Sequence, residues 1–357
     1  MRSPLDRRIT SGSGSIDMES HSVPARVLVV GTGFIAAQHA AAIHAEPRLE
    51  LAGVVDIDPG RAAAASRANG GVPWFTDLGA ALAETGADGC VVCTPNDTHA
   101  DIAVQVAAAG AHLLIEKPLA TDVAGARRAV TAFARAGRVL MPAHSHRHYD
   151  YALAVREAIG SGDLGAVDLV RLSILGGWIW PDWRGWMLDP ARSGGHALHN
   201  GVHLLDLVTW WTGDTPETVY ARGRRRTAPE LGIHDYLEMT VGFAGGAVAV
   251  CEMSRGHAPT SYARRDVLVT GTGGILTLPW DAEAGTVTDE SGTALLPPGG
   301  TDGFATQIAA WADALTGAPP AVTGADGLLA VAMGVAAERS IADGRPVRVA
   351  DVLEEAA

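Results

Sequence analysis

A chain of 357 residues has room for two domains of ordinary size. Its formal net charge of −13, spread along the chain rather than gathered in one run, repels a phosphate backbone and argues against a nucleic-acid partner. Three cysteines are too few for a disulfide framework, and no run of about 18 apolar, uncharged residues marks a membrane span.

Residues 1–22 read as a disordered leader. Ser11 to Ser15 spell SGSGS, a flexible composition. Arg7 and Arg8 look like the start of a twin-arginine signal, but no apolar segment follows. Export is therefore not expected, and a cytoplasmic location is. Met18 is a candidate natural start.

From residue 26 to about 143, short β-branched runs alternate with alanine-rich stretches. Strands are predicted at 27–30, 51–56, 89–93, 112–115 and 139–142. Helices are predicted at 34–45, 59–69, 98–109 and 123–136. Units of this size predict a doubly wound parallel sheet covered on both faces, a Rossmann domain over 23–145. Cys90 and Cys93, three apart on a strand, point to opposite faces and read as buried thiols.

Beyond Pro142 the texture changes. A helix at 149–161 precedes strand-like runs at 169–175, 236–241, 247–253 and 266–270, separated by Gly, Pro and Asp. These predict a large, open, mostly antiparallel sheet in an α+β catalytic and oligomerisation domain over 146–357. Helices at 304–315 and 327–341 end the chain and are placed to pack back toward the first domain.

The first strand runs into Gly31-Thr32-Gly33-Phe34-Ile35-Ala36. Gly31 permits the tight turn, Gly33 lets backbone approach a pyrophosphate, and Ala36 allows close helix–strand packing. The helix N-terminus presents free N–H groups to phosphate. Phe34 and Ile35 open that helix beside the cofactor. Asp56 ends the second strand, where a carboxylate accepts from the ribose hydroxyls of NAD and repels the 2′-phosphate of NADP. Ile57 follows it, and Arg61, five residues on, softens that exclusion. NAD is therefore expected over NADP.

The strand at 112–115 leads into Glu116-Lys117-Pro118. Ligands of open α/β sheets bind beyond the C-terminal strand ends, which puts Lys117 where a nicotinamide would lie. Downstream stands Gly194-Gly195-His196-Ala197-Leu198-His199-Asn200-Gly201-Val202-His203-Leu204-Leu205-Asp206. With Thr94-Pro95-Asn96, Trp183-Arg184 and Gly271-Thr272-Gly273-Gly274, this order of motifs resembles the glucose–fructose oxidoreductase / inositol dehydrogenase (Gfo/Idh/MocA) family.

The resemblance implies a hydride exchanged between nicotinamide and a secondary alcohol or ketone of a sugar, sugar derivative or cyclitol. It implies that Lys117 binds the reacting oxygen, that Pro118 is cis, and that His203 exchanges the hydroxyl proton. Thr94, Pro95, Asn96 and Glu116 are implied to line the cofactor. His99 joins that set by position, although its reading as a structural residue is the stronger one.

Relatives carry Asp or Asn four residues before the histidine; here His199 stands there. On a helix His199 and His203 share a face, so His199 or Asn200 is a candidate to orient the substrate. Asp206 is a candidate partner for His203. His199 and His203 also have metal-ligand spacing, but hydride transfer needs no metal, and none is expected.

Trp178, Trp180, Trp183 and Trp186 crowd nine residues around Arg184. Indole faces can stack on a sugar ring. Trp178, Trp183, Arg184 and Trp186 join Asn200 and His146 as candidate substrate contacts, and Arg147 is placed to brace the domain junction. A small polyhydroxylated partner follows, and the resemblance implies a homodimer or homotetramer. Two other readings stay open. One is a redox-neutral sugar-processing enzyme with retained NAD. The other is a non-enzymatic NAD(H) sensor or scaffold.

Overall fold

The computed structural model describes residues 23–177, 185–226, 229, 232–257, 259, 263–279, 285–290, 292–296 and 302–356. The predicted leader, Trp178, Trp180, Trp183 and Arg184 lie outside them.

The first sheet holds β1 (Ala25–Val30), β2 (Leu49–Val55), β3 (Trp74–Phe75), β4 (Gly89–Val92), β5 (His112–Glu116) and β6 (Leu140–Ala143). All pair in parallel, in the order β3-β2-β1-β4-β5-β6. Five helices cross between them: α1 (Phe34–Ala45), α2 (Pro59–Ala68), α3 (Leu78–Thr85), α4 (His99–Ala108) and α5 (Val123–Ala136). Local chemistry sets several boundaries. Asp58 caps α2 by accepting from the N–H groups of Gly60 and Arg61, with Pro59 at the first turn. Asp122 opens α5, and Gly137, at φ 61°, closes it in the left-handed region. The two-residue β3 and the short α3 were not predicted.

The register aligns the C-terminal ends. Val30 pairs with Val92, Val92 with Ile115, and Ile115 with Pro142. The loops that begin at Gly31, Cys93, Lys117 and His144 therefore leave one edge of the sheet. Cys90 and Cys93 are both buried, in separate clusters on opposite faces.

The second part begins with α6 (Asp150–Gly160), β7 (Val167–Gly176), α7 (Pro190–Ser193) and α8 (Val202–Thr212). There follow β8 (Pro216–Arg224), β9 (Tyr236–Phe243), β10 (Val248–Ser254), β11 (Ala263–Gly271), β12 (Gly274–Pro279), β13 (Gly285–Asp289) and β14 (Gly292–Leu296). After α9 (Gly303–Leu315) and α10 (Gly324–Asp343), β15 (Val347–Arg348) completes the sheet. Its order is β14-β13-β12-β11-β7-β10-β9-β8-β15, antiparallel except where β7 meets β10. Alternation gives it one buried face: Leu237, Met239, Val241 and Phe243 of β9 all point inward.

The two parts share their cores. Ile308, Trp311 and Ala312 of α9 lie in one cluster with Val27, Val29, Val91 and Leu114 of the first sheet. Among the described residues, no helix is long and apolar enough to cross a membrane.

Candidate active site

At the end of β1 the chain turns through Gly31 at φ 82°. A Cβ there would lie 2.8 Å from the Cys93 carbonyl oxygen and 2.9 Å from Thr94 Cγ2. Only glycine combines that backbone angle with that approach. Gly33 caps α1 without a side-chain hydrogen bond. A Cβ at Gly33 would meet nothing within 4 Å. Open backbone at a helix N-terminus is the environment an anionic pyrophosphate needs, so the residues present fit a dinucleotide. Phe34 is exposed beside it and Ile35 half-buried.

Asp56 is buried just past β2. Its Oδ2 accepts from the N–H (3.0 Å) and hydroxyl (2.8 Å) of Thr32. Its Oδ1 accepts from the N–H of Asp58 at 2.9 Å and lies 3.2 Å from an Arg61 guanidinium nitrogen. Burial alone would raise its pKa. The N–H groups of Asp58 and Thr32, the Thr32 hydroxyl and Arg61 outweigh burial and hold it below the usual carboxylate range. Ile57 is exposed next to it.

The loop after β4 reaches across to the second part. Asn96, buried, donates to the Ser193 carbonyl at 2.8 Å and lies 3.3 Å from His199 Nδ1. Thr94 and Pro95 are half-buried before it. His99 is fully buried, with Nδ1 2.7 Å from the Pro118 carbonyl oxygen and Nε2 2.9 Å from that of Thr94. It therefore ties the loop after β4 to the loop after β5.

Lys117 follows β5, and its peptide bond to Pro118 is cis. Its Nζ donates to the His199 carbonyl at 2.7 Å. Burial brings the lysine pKa down to about 8; Glu116 opposes that shift and Arg255 adds to it. His39 of α1 lies 2.8 Å from Glu116 Oε1. Sequence reasoning missed His39, although it stands one turn after Ala36 in the apolar stripe of α1.

His199 sits in a π-helical turn, Ala197–Gly201, that runs into α8. The wide turn separates the two candidate histidines by partner. His199 faces Asn96 and meets Trp186 edge-on, ring centroids 5.4 Å apart. The His203 ring lies 4.3 Å from that of His146, tilted by 46°, and His146 Nδ1 is 2.6 Å from the Tyr151 hydroxyl. Burial first, then the nearby charges of His146 and Lys117, hold the His203 pKa well below its ordinary value, so the imidazole is neutral. His203 Nδ1 and Asn200 Nδ2 are buried without a hydrogen-bond partner among the described residues.

The expected Asp206–His203 pairing is corrected. Asp206 instead accepts from Arg147 at 2.8 and 2.7 Å. The planar guanidinium offers two parallel donors to a carboxylate, a geometry an imidazole cannot match. Arg147 also lies 3.3 Å from Asp326 of α10, so it links the end of the first sheet to two helices of the second part. Among the described residues, no group of three or more His, Cys, Asp or Glu is arranged around a metal position.

A parallel sheet with a glycine turn at its C-terminal edge, joined to a second part whose helix α8 carries a buried imidazole just after the turn that Lys117 bonds, defines the class: a two-domain oxidoreductase. Residues 25–144 match the profile of an oxidoreductase family with a NAD-binding Rossmann fold. Residues 152–277 match the GFO/IDH/MocA C-terminal domain. The chain belongs to the Gfo/Idh/MocA family and is an NAD(P)-dependent oxidoreductase acting on CH–OH groups.

It is 28% identical over 341 residues to the inositol 2-dehydrogenase of Rhizobium meliloti (strain 1021), covering 90% of this chain and 98% of that protein. It is 28% identical over 307 residues to the 1,5-anhydro-D-fructose reductase of Ensifer adhaerens, covering 84% of this chain and 91% of that protein. The crystal structure of GenD2 from gentamicin A biosynthesis, in complex with NAD, superposes with a TM-score of 0.80 at 29% identity, over 94% of this chain and 99% of that one.

Proposed function

We propose that the protein exchanges a hydride between NAD(H) and a secondary alcohol or ketone of a sugar, sugar derivative or cyclitol. One contact carries the reading. The Lys117 ammonium, at the end of a parallel strand, donates to the turn of the other domain that leads into His203. Lys117 would hold the reacting oxygen, and the neutral His203 would take its proton. Asn200, His199, His146 and Trp186 would contact the substrate, and Asn200 Nδ2, without a hydrogen-bond partner among the described residues, suits a ligand hydroxyl. Gly31, Gly33, Phe34 and Ile35 would hold the pyrophosphate side of the cofactor. Asp56, Ile57 and Arg61 would hold its adenosine ribose. Thr94, Pro95, Asn96 and Glu116 would flank its nicotinamide side, braced by His99. A bound nicotinamide would supply the hydride acceptor or donor. The test is a panel of polyols and cyclitols assayed with NAD, followed by crystals soaked with NAD and any hit; a substrate carbon far from Lys117 would overturn the assignment.

NAD is preferred over NADP in this reading, because Asp56 is ionised where a 2′-phosphate would sit. Asp56→Ala is expected to raise NADP use relative to NAD by at least about tenfold, roughly 1.4 kcal/mol. Arg61, released from the carboxylate, would then meet the phosphate. The ratio of kcat/KM for the two cofactors checks this; an unaltered ratio removes Asp56 from ribose recognition.

The pH dependence follows from two depressed pKa values. Below about 8 Lys117 is an ammonium, and above it the charge is lost. His203 stays neutral down to well below 6.5. Alcohol oxidation, which needs the ammonium and the neutral imidazole together, is expected to hold level near pH 7 and to fall above about 8. Single-turnover NAD reduction across pH checks it; a rate still climbing past pH 9, beyond the lysine's about 8, contradicts the assigned charge of Lys117.

A further inference from the structure

We propose that His39 is a positioning residue for Lys117, acting through Glu116: from α1 it fixes the carboxylate that adjoins the lysine. The proposal rests on the reading that Lys117 holds the reacting oxygen.

The arrangement starts from strand alternation. Leu114 and Glu116 of β5 share the face that α1 covers, because successive side chains on a strand point to opposite sides. Leu114 packs there in one cluster with Ala36, Ala40 and Ile43 of α1. His39 belongs to the same helical stripe and is the imidazole within it. It is fully buried. Burying such a ring is costly unless it is hydrogen-bonded, and its Nε2 lies 2.8 Å from Glu116 Oε1. Phe304 of α9 meets the ring edge-on at 5.1 Å, which blocks a swing away from the carboxylate. The other oxygen, Oε2, accepts from the Lys117 backbone N–H at 3.2 Å. One carboxylate thus joins the dinucleotide helix to the lysine.

The surrounding charges make that carboxylate matter. Glu116 is met by His39 from α1, His99 from α4, Cys93 after β4 and Tyr149 before α6. Burial would raise its pKa, but the His39 hydrogen bond leads the opposing effects and keeps it ionised. Lys117 is met by Arg255 after β10 and by His99, His144, His146, His199 and His203. Glu116 is the acidic group of this set and favours the ammonium. If Glu116 loses its fixed partner, the lysine loses its support.

The competing explanation is a core histidine that merely ties α1 to β5. It would change stability and leave the lysine's titration alone. The test reads that titration without substrate. The full-length protein is labelled by formaldehyde and cyanoborohydride across pH, and mass spectrometry quantifies methylation of the Lys117 peptide. Wild type is expected to titrate near 8. His39→Asn, which is too short to reach Glu116, and Glu116→Gln are expected to move the midpoint down. Labelling at pH 7 should then be about 2.5- to fivefold faster, because the free-amine fraction there rises as the midpoint falls from about 8 by roughly half to one pH unit. His39→Gln, which returns a donor at the Nε2 position, should titrate like wild type. Melting curves and circular dichroism report folding of each variant. The proposal is overturned if His39→Asn or Glu116→Gln titrates like wild type, or if His39→Gln falls as far as His39→Asn. Because no substrate is present, this result stands apart from turnover: a normal shift with no activity on any polyol would sink the proposed reaction and leave the His39 role intact.

Discussion

Lys117→Met is expected to slow hydride transfer by about 10²–10³-fold, the loss typical of one donor aimed at developing oxyanion charge. NAD affinity should move by less than about threefold. The asymmetry follows from where the groups sit. In the proposed reading the cofactor's phosphate and ribose would face the loops after β1 and β2, where Gly33 leaves open space and Asp56 is held by the Asp58 N–H. Lys117 leaves the sheet further along the same edge, and its Nζ is directed into the second domain, onto the His199 carbonyl. Methionine keeps the length and apolar stem of lysine and removes only the ammonium. Desolvation strengthens that ammonium's pull on an adjacent oxygen, and the same desolvation depresses its pKa. Stopped-flow single turnovers with saturating NAD separate the two effects. A variant that turns over at the wild-type rate removes Lys117 from the chemistry.

Much of the first domain was legible because local signals agreed. The predicted helix 34–45 is α1, and the predicted helix 123–136 is α5, where Asp122 and Gly137 cap both ends. The elements that were missed lack such agreement. β3 is two residues long, and β8 opens with proline and carries Glu217, Arg222 and Arg224 on a half-exposed edge. The strands β12 to β14 are short and glycine-bounded, so their alternation never builds a clear period.

The site shows the same division. Gly31, Asp56 and Lys117 each stand directly after a strand, the position the α/β pattern gives them. The partners of the histidines were not readable. A π-turn at Ala197–Gly201 alters the helical spacing on which the pairing of His199 with His203 depended. His146 lies against the His203 ring, a contact that its position in the chain does not foretell. Arg147 and Asp206 are 59 residues apart, and no local period foretells a contact of that separation.

That contact yields the second large effect. Arg147 and Asp206 are 6% and 2% exposed, and each is the other's bidentate partner. Asp206→Ala leaves the guanidinium buried beside Asp326, His144 and the Trp210 face, with its best acceptor gone. Removing one partner of such a pair typically costs about 3–5 kcal/mol. The double variant Arg147→Met with Asp206→Leu should recover most of that loss, because the carboxylate left behind, Asp326, is 34% exposed and keeps the Thr323 hydroxyl as a donor. A double-mutant cycle in urea measures both quantities. If Asp206→Ala costs less than about 1 kcal/mol, the pair behaves like a surface bridge and the burial argument fails. The location gives the cycle a functional reading too. Arg147 follows His146 directly, and Asp206 lies one helical turn after His203, so the ion pair and the histidine ring contact are two contacts between the same two segments. Loosening the pair should therefore lower hydride-transfer rate along with stability, and the charge-free double variant separates packing from charge: recovered stability with recovered rate would mean that the junction needs only to be closed, whereas recovered stability alone would mean that the guanidinium also sets where the imidazole of His203 stands.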